Sequence, residues 1–243
     1  NASIRRSATG TYTGPLPPIA WPDWATTSVR FDRELRAEDF AIPAAPGRAT
    51  MSAALLRPFH WEERFLTAEL PVAGGSVQRD ADRAITKMAV VDRHSGAGSV
   101  GAMFWKGCGP ADPGTALACS VAHDSHHIWV VGSCDAAMAE AVGALHRQQG
   151  GWALVTGGGV AATVRYEVAG LMTARPAEAL DAEMAAFLAA AERVEWMYEP
   201  SSSPRWFPGV PLRLQFATLT CAPWRWVLVP PGPAAPTGLV DVA

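Results

Sequence analysis

A succession of strand, helix, strand and strand between residues 128 and 164 constrains the fold of this chain more than any other feature. Ile128–Val131 is a run of β-forming residues, and Asp135 is a good N-cap for a helix that the glycine pair at 150–151 would end. Trp152–Val155 and Val160–Val164 then predict two strands joined by a glycine-rich turn. The unit therefore favours a mixed α/β fold.

Short apolar runs separated by turn residues extend the strand pattern on both sides of this unit. A second helix is predicted from Pro176, a residue favoured at the first helical position, to about Tyr198. The further predicted strands are residues 50–72, which hold more than one, 86–92, 100–105 and 212–219. We expect an α/β (α+β) fold in which mixed, largely antiparallel sheets are covered by a few helices.

The first 48 residues differ in composition from the rest of the chain. They are rich in proline and tryptophan, as in Pro15-Leu16-Pro17-Pro18 and Trp21-Pro22-Asp23-Trp24, and proline blocks both regular helices and central strands. We expect an extended arm or linker over residues 1–48 and one domain over residues 49–243. Two explanations remain for the tryptophans of the arm and of the C-terminal part: a hydrophobic docking surface, or rings that fold back onto the domain.

Charge and cysteine content exclude several classes of function. The 20 basic and 23 acidic residues nearly cancel, and no basic run provides the footprint of a nucleic-acid-binding protein. The apolar runs are far shorter than the roughly 20 residues that cross a bilayer. The four cysteines have neither the spacing of a zinc site nor the density of a disulfide scaffold. We expect a cytoplasmic protein with reduced thiols, and neither a nucleic acid nor a membrane as partner.

The segment from His123 to His127 is the densest cluster of possible ligands and acid–base groups. It contains His123, Asp124, Ser125, His126 and His127, and imidazole suits both metal binding and proton transfer near neutral pH. If the segment continued the following strand, alternation would place His123, Ser125 and His127 on one face and Asp124 and His126 on the other. His123, Asp124, Ser125 and His126 are the candidate catalytic residues.

Three roles for this cluster stay open. It can complete or line an active site across a domain interface, where ligand sites are common. It can be a solvated loop held by structural hydrogen bonds. It can be the centre of a small metal-dependent hydrolase, although four convergent ligands are not evident.

A glycine pattern precedes this cluster, at Gly96-x-Gly98-x-x-Gly101. It matches the dinucleotide-binding fingerprint in letters, but no helix signal follows it, so we interpret it as a hairpin turn. Arg93 and His94 lie at the mouth of this turn and are candidates for contact with a ligand or a partner domain.

Several segments, taken in order, resemble the C-terminal domain of bacterial adenine deaminases. The most specific is Ala122-His123-Asp124-Ser125-His126, which ends the longer matching segment Ser120–His126, and His127 departs from the asparagine expected after it. The others are Val91-Asp92-Arg93-His94, Trp105-Lys106-Gly107, Val130-Val131-Gly132, Ala169-Gly170-Leu171-Met172 and Gly238-Leu239-Val240-Asp241-Val242. Lys106 and His127 join Arg93 and His94 as expected ligand or interface contacts.

The resemblance implies hydrolysis of adenine to hypoxanthine and ammonia in purine salvage. In that family a water molecule is activated on divalent metal ions, manganese, iron or zinc, inside an amidohydrolase barrel whose ligands include a His-x-His motif. None of the six histidines here forms His-x-His. We therefore expect no metal site in this chain, a catalytically incomplete domain, a barrel in cis or in trans as its partner, an adenine-type purine as ligand, and a homo-oligomer. The alternative is a non-catalytic ligand-binding or interaction module.

Overall fold

A nine-stranded sheet forms the centre of the molecule. The computed structural model describes residues 19–56, 65–157, 159–198, 218, 226–228, 231 and 239–241. The helices are α1 (Asp23–Thr26), α2 (Asp135–Gln148) and α3 (Ala177–Ala191), with a 3-10 turn at Ala37–Phe40. The expected α/β fold with a mixed, largely antiparallel sheet and few helices is confirmed.

Most strands lie where the apolar runs predict them. The strands are β1 (Thr50–Leu56), β2 (Phe65–Ala73), β3 (Ser76–Val77), β4 (Ile85–Val91), β5 (Val100–Lys106), β6 (Cys108–Pro110), β7 (Ala116–Cys119), β8 (Ile128–Gly132), β9 (Gly151–Thr156), β10 (Gly159–Arg165), β11 (Trp196–Tyr198), β12 (Trp226–Leu228) and β13 (Leu239–Asp241). The glycine-rich segment 94–98 is the hairpin turn between β4 and β5, as predicted.

The order of strands across the sheet is β10-β9-β7-β8-β4-β5-β1-β2-β3. All neighbours are antiparallel except β1 and β5, which run parallel. Every residue of the central strands β4, β7 and β8 is buried, because the sheet is covered on both faces. Side chains of α2 and of residues 29–40 pack on one face, and those of α3 pack on the other.

Helix α2 begins at its expected cap, one residue earlier than predicted. Cys134 occupies the N-cap position and makes no side-chain hydrogen bond, while Asp135 lies in the first turn. The Asp135 carboxylate instead accepts a hydrogen bond from the amine of Lys87 on β4, which is 7% exposed. The predicted cap was wrong because this pairing neutralises a buried lysine, and an acid in the first turn still complements the helix dipole.

Helix α3 is shorter than predicted. It ends at Ala191, and residues 196–198 turn back as β11, which pairs with β6 in a separate two-stranded sheet. The indole of Trp196 donates to the carbonyl of Ala191 at 2.9 Å, which satisfies one free carbonyl of the helix end. The prediction of a helix to Tyr198 was wrong because apolar periodicity does not reveal this reversal.

Residues 19–48 contribute to the same core as the sheet. Val29 and Phe40 are almost completely buried, and they pack with α2. The side-chain amide of Gln149 bonds both the backbone N–H and the carbonyl of Val29, at 3.0 and 3.1 Å. The division between an arm and a domain after residue 48 stays a prediction.

Some predictions lie outside the described residues. They include the strand at 212–219, of which only Thr218 is described, and the side chains of Trp206, Trp224 and Trp226. Within the described part of the chain, no helix has the length and apolar character needed to cross a membrane.

Candidate functional site

One end of the sheet gathers four of the six histidines of the chain. The carboxyl end of β4, the turn that follows it and the loop that enters β8 meet there. We define the histidine rim as Asp92, His94 and residues 123–127. His94, His123 and Asp124 are exposed, and the rest of the rim is half-buried. The structure therefore brings together seven of the eight residues that the sequence proposed as site candidates, if the adjoining Arg93 is counted.

The rim side chains form two contiguous groups. The His94 ring lies 4.9 Å from the His127 ring, centre to centre, and its Nε2 is 3.1 Å from the carbonyl oxygen of Ser125. The His123 ring lies 5.8 Å from the His126 ring and contacts the carboxylate of Asp124. The expected alternation was wrong, because the segment is a turn in which the His126 backbone donates to the carbonyl of Ala122 and has a φ of 52°.

Burial keeps the inner histidines of the rim neutral. It lowers the pKa of His127 to about 4, assisted by His94 and Arg93, and nearby Asp92 opposes this only partly. The pKa of His126 is also lowered, first by burial and then by the positive charge of Arg93. The Nδ1 atoms of both rings are buried, and they have no hydrogen-bond partner among the described residues. Buried polar atoms without partners are rare and are often found at functional sites.

Asp92 supplies the negative charge on the inner side of the rim. Burial alone would raise the pKa of its carboxyl, but hydrogen bonds from the Ser95 hydroxyl and from the backbone N–H of His94 outweigh burial and lower it. The carboxylate lies 3.5 Å from Nδ1 of His127. Since His127 is neutral at pH 7, this contact is not an ion pair.

Arg93 holds the rim in place from the interior of the protein. It is 2% exposed, and its guanidinium donates to the carbonyls of Ser28, His126 and Ala169 and to the hydroxyl of Ser28. Burial lowers its pKa to about 10, so it remains charged at pH 7. Sequence reasoning expected Arg93 at the surface; the structure places it inside, where it joins three segments.

Gly170 lies beside this arginine and was not a predicted site residue. A side chain there would place Cβ 2.9 Å from Nη1 of Arg93, and the residue has a φ of +68°, a conformation that favours glycine. Ser120 donates to the carbonyl of Gly170 and accepts from the N–H of Gly151. Ser120 and Gly170 lie within segments that carry the family resemblance. The sequence alone does not reveal their structural contacts.

Lys106, the eighth site candidate, lies away from the rim, and Cys119, four residues before His123, is inert. Lys106 ends β5 opposite Ile85, at the far end of the β4–β5 hairpin, and its amine donates to the carbonyl of Arg83. Cys119 is completely buried, and burial raises the pKa of its thiol. A nucleophilic pair of Cys119 and His123 is therefore not supported.

The rim does not fit a metal ion. Across the part of the chain that the structure describes, no three histidine, cysteine, aspartate or glutamate side chains are placed to hold one. Asp124 contacts His123, and His94 is directed to a backbone carbonyl. A hydrolytic metal centre needs at least three protein ligands that converge on one point, and the described residues do not provide them.

The architecture and the rim define an open-sheet α/β domain that carries polar side chains at one sheet end, as opposed to a barrel with its site at the strand ends. Residues 62–204, more than half of the chain, match the family described as the adenine deaminase C-terminal domain. The chain belongs to this family.

Whole-length relatives are considerably longer than this chain. It is 65% identical over 231 residues to adenine deaminase 1 of Bradyrhizobium sp. (strain ORS 278), covering 95% of this chain and 37% of the relative. It is 64% identical over 234 residues to adenine deaminase 2 of Jannaschia sp. (strain CCS1), covering 96% and 38%. The adenine deaminase of Moorella thermoacetica is 37% identical over 173 residues, covering 70% and 29%.

Proposed function

We propose that this chain serves adenine deamination, the hydrolysis of adenine to hypoxanthine and ammonia in purine salvage, as the C-terminal domain of the enzyme. The metal-bearing catalytic part is an amidohydrolase barrel, joined in cis or supplied in trans, that holds manganese, iron or zinc. The chain alone is catalytically incomplete. The observation that carries this proposal is the convergence of four histidines on one rim, two of them with buried Nδ1 atoms that lack a partner.

The rim residues act by binding and orienting. Neutral imidazoles both donate and accept hydrogen bonds, as the edge of a purine base requires. His94 and His123 are exposed and face an incoming partner, while His126 and His127 form the inner wall. The Asp124 carboxylate orients the His123 ring. In this arrangement the rim lines the site of the barrel without holding its metal.

Two further statements belong to this proposal. The protein acts in the cytoplasm, since its three described cysteines are free thiols. The enzyme that contains this domain works as a homo-oligomer. The second candidate function is a ligand-binding module without catalysis, which the unpartnered Nδ1 atoms also favour.

The experiment is an ammonia-release assay with adenine, on the isolated chain and on a joined protein. In the joined protein, this chain replaces the corresponding C-terminal part of the Bradyrhizobium relative. We expect no turnover by the isolated chain with added manganese, iron or zinc, and turnover by the joined protein. His94→Ala and His123→Ala in the joined protein should each lower kcat/KM at least 10-fold.

His146→Ala is the matched control for these variants. His146 lies on α2 against the ring of Phe31, at 4.7 Å, and takes no part in the rim. Its replacement should leave kcat/KM within about twofold. Metal-dependent turnover by the isolated chain, lost in His123→Ala, would overturn the proposal and favour a small metal-dependent hydrolase. Full activity of both rim variants would favour a module without a catalytic role.

A further inference from the structure

Exposed apolar side chains lie in and around α1 and at Met172. Five large apolar side chains are exposed among the described residues, and three of them are Ile19, Trp21 and Trp24, at 64%, 37% and 71%. A fourth, Met172, is 54% exposed. It follows the loop at Ala169, whose N–H donates to the carbonyl of Ala25. We define these four residues as the Trp24 patch.

The Trp24 patch is held on a rigid frame. Ala25 is 1% exposed, and the turn at Met172 is closed by two backbone hydrogen bonds with Val168, at 2.9 and 3.1 Å. Arg93 bonds Ser28 on one side of the patch and Ala169 on the other. The exposure of the patch side chains therefore does not result from a loosely held segment. A tryptophan exposed to this extent leaves on the order of 150 Å² of apolar surface in water, which is typical of an interface.

The patch and the histidine rim share one support. The guanidinium of Arg93 donates to Ser28 and Ala169 beneath the patch and to the carbonyl of His126 in the rim. A body that docks on the Trp24 patch therefore meets the rim in a fixed orientation. The relative position of the two surfaces is therefore set by the buried side chain of Arg93 and not by a flexible linker.

The lengths of the relatives indicate what docks there. This chain covers 37% of the Bradyrhizobium relative and 38% of the Jannaschia relative. The matched family is the C-terminal domain of those proteins, so the larger remainder of their polypeptide precedes it. Ile19, Trp21 and Trp24 lie in the N-terminal part of the sequence, which is nearest along the polypeptide to that remainder.

We propose that the Trp24 patch is the docking surface for the preceding part of the adenine deaminase polypeptide and that this contact presents the histidine rim to its active site. The inference rests on the proposed function for the identity of the partner. A second copy of this chain is the competing occupant, and the experiment separates the two.

The test is oxidative footprinting of Met172 by hydroxyl radicals, with mass spectrometry, in the isolated chain and in the joined protein. We expect Met172 to be oxidised at least fivefold more slowly in the joined protein. Met184, half-buried on α3, is the internal control and should react equally in both. Equal rates for Met172 in the two proteins, or slow oxidation already in the isolated chain, would overturn the proposal.

Paired variants identify the surface. Trp24→Glu in the joined protein should restore fast oxidation of Met172, whereas Val160→Glu, at a side chain that is 42% exposed on β10, should not. Sedimentation of the isolated chain gives a second measurement. A monomer agrees with the proposal, and a dimer that Trp24→Glu dissociates would assign the patch to a second copy.

These readouts do not depend on turnover. Protection of Met172 together with full activity of His94→Ala would support the docking surface and contradict the proposed function of the rim. Loss of activity in His94→Ala without protection of Met172 would support the proposed function of the rim and contradict the docking surface.

Discussion

The interior of the central strands and the histidine rim at their end are held by different forces. Every residue of β4, β7 and β8 is buried, and apolar packing on two faces specifies them. The rim begins one residue beyond β4, and it is specified by hydrogen bonds that Arg93 donates and that the Asp92 carboxylate accepts. Because different forces hold the two regions, substitutions can change the shape and chemistry of the rim while the sheet stays folded.

The largest expected effect is in the strand interior. Leu117→Ala removes a fully buried side chain of β7 and should lower the free energy of unfolding by about 3–5 kcal/mol, because it deletes apolar contacts and leaves a cavity. Urea denaturation measures this loss. The histidine NMR signals of the rim should stay in place in the folded variant. A loss below about 1 kcal/mol would contradict packing as the dominant force in the strands.

Replacing the support of the rim should have the next largest effect. Arg93→Leu leaves the carbonyls of Ser28, His126 and Ala169 without their donor, and we expect a loss of about 2–3 kcal/mol. Amide hydrogen exchange should accelerate over residues 122–127 and remain slow in α2.

Arg175→Leu is the matched control for the support variant. Arg175 also bonds a carboxylate and a carbonyl, but its side chain is 34% exposed, and its loss should cost about 1 kcal/mol or less. Unchanged exchange over residues 122–127 in Arg93→Leu would show that the rim does not depend on this arginine.

The inner rim should show a smaller, pH-dependent effect through His127. Its folded pKa of about 4 lies below its ordinary value of 6.5, so the folded state resists protonation. Stability from this histidine is complete above pH 6.5 and is lost as the pH falls from 6.5 towards 4. After allowance for partial exposure, the loss is about 1–2 kcal/mol.

The measurement is the urea midpoint at pH 7.5, 6, 5 and 4, compared with His127→Asn. The asparagine carries no titrating group, so the difference between the two proteins should shrink or change sign as the pH falls. A difference that stays constant over this range would mean that His127 titrates normally in the folded state.

The smallest effect on stability is expected at the outer rim. His94 is exposed, and its ring packs against His127 and lies within hydrogen-bond distance of the Ser125 carbonyl. His94→Ala should change the free energy of unfolding by no more than about 0.5 kcal/mol, as is usual for surface substitutions. Thermal unfolding followed by circular dichroism measures it. A loss above about 1.5 kcal/mol would place His94 with the structural residues.

Local patterns were sufficient to predict most of the sheet. The runs at Ile85–Val91 and Ile128–Gly132 and the hairpin between β4 and β5 follow from apolar residues and glycine punctuation. The end of α3 was missed because the return strand β11 depends on a distant partner, β6. Pairing over such separations leaves no local signal.

The candidate site was predictable as a list of residues but not as an arrangement. The string from His123 to His127 identified the loop, yet strand alternation gave the wrong grouping of its side chains. Arg93 was expected at the surface, because nothing in its neighbourhood reveals the carbonyls of Ser28 and Ala169 that take up its donors. Contacts between segments that are far apart in the chain decide which charged residues are buried.

The hydrogen bonds of the Arg93 guanidinium also have a consequence for the order of folding. Its three carbonyl partners stand 33, 65 and 76 residues away along the chain. Closing loops of this length is slow compared with forming α2 or the β4–β5 hairpin. The rim should therefore assemble after α2 and the β4–β5 hairpin, so that newly made chains pass through a state in which these elements are formed and the rim is open.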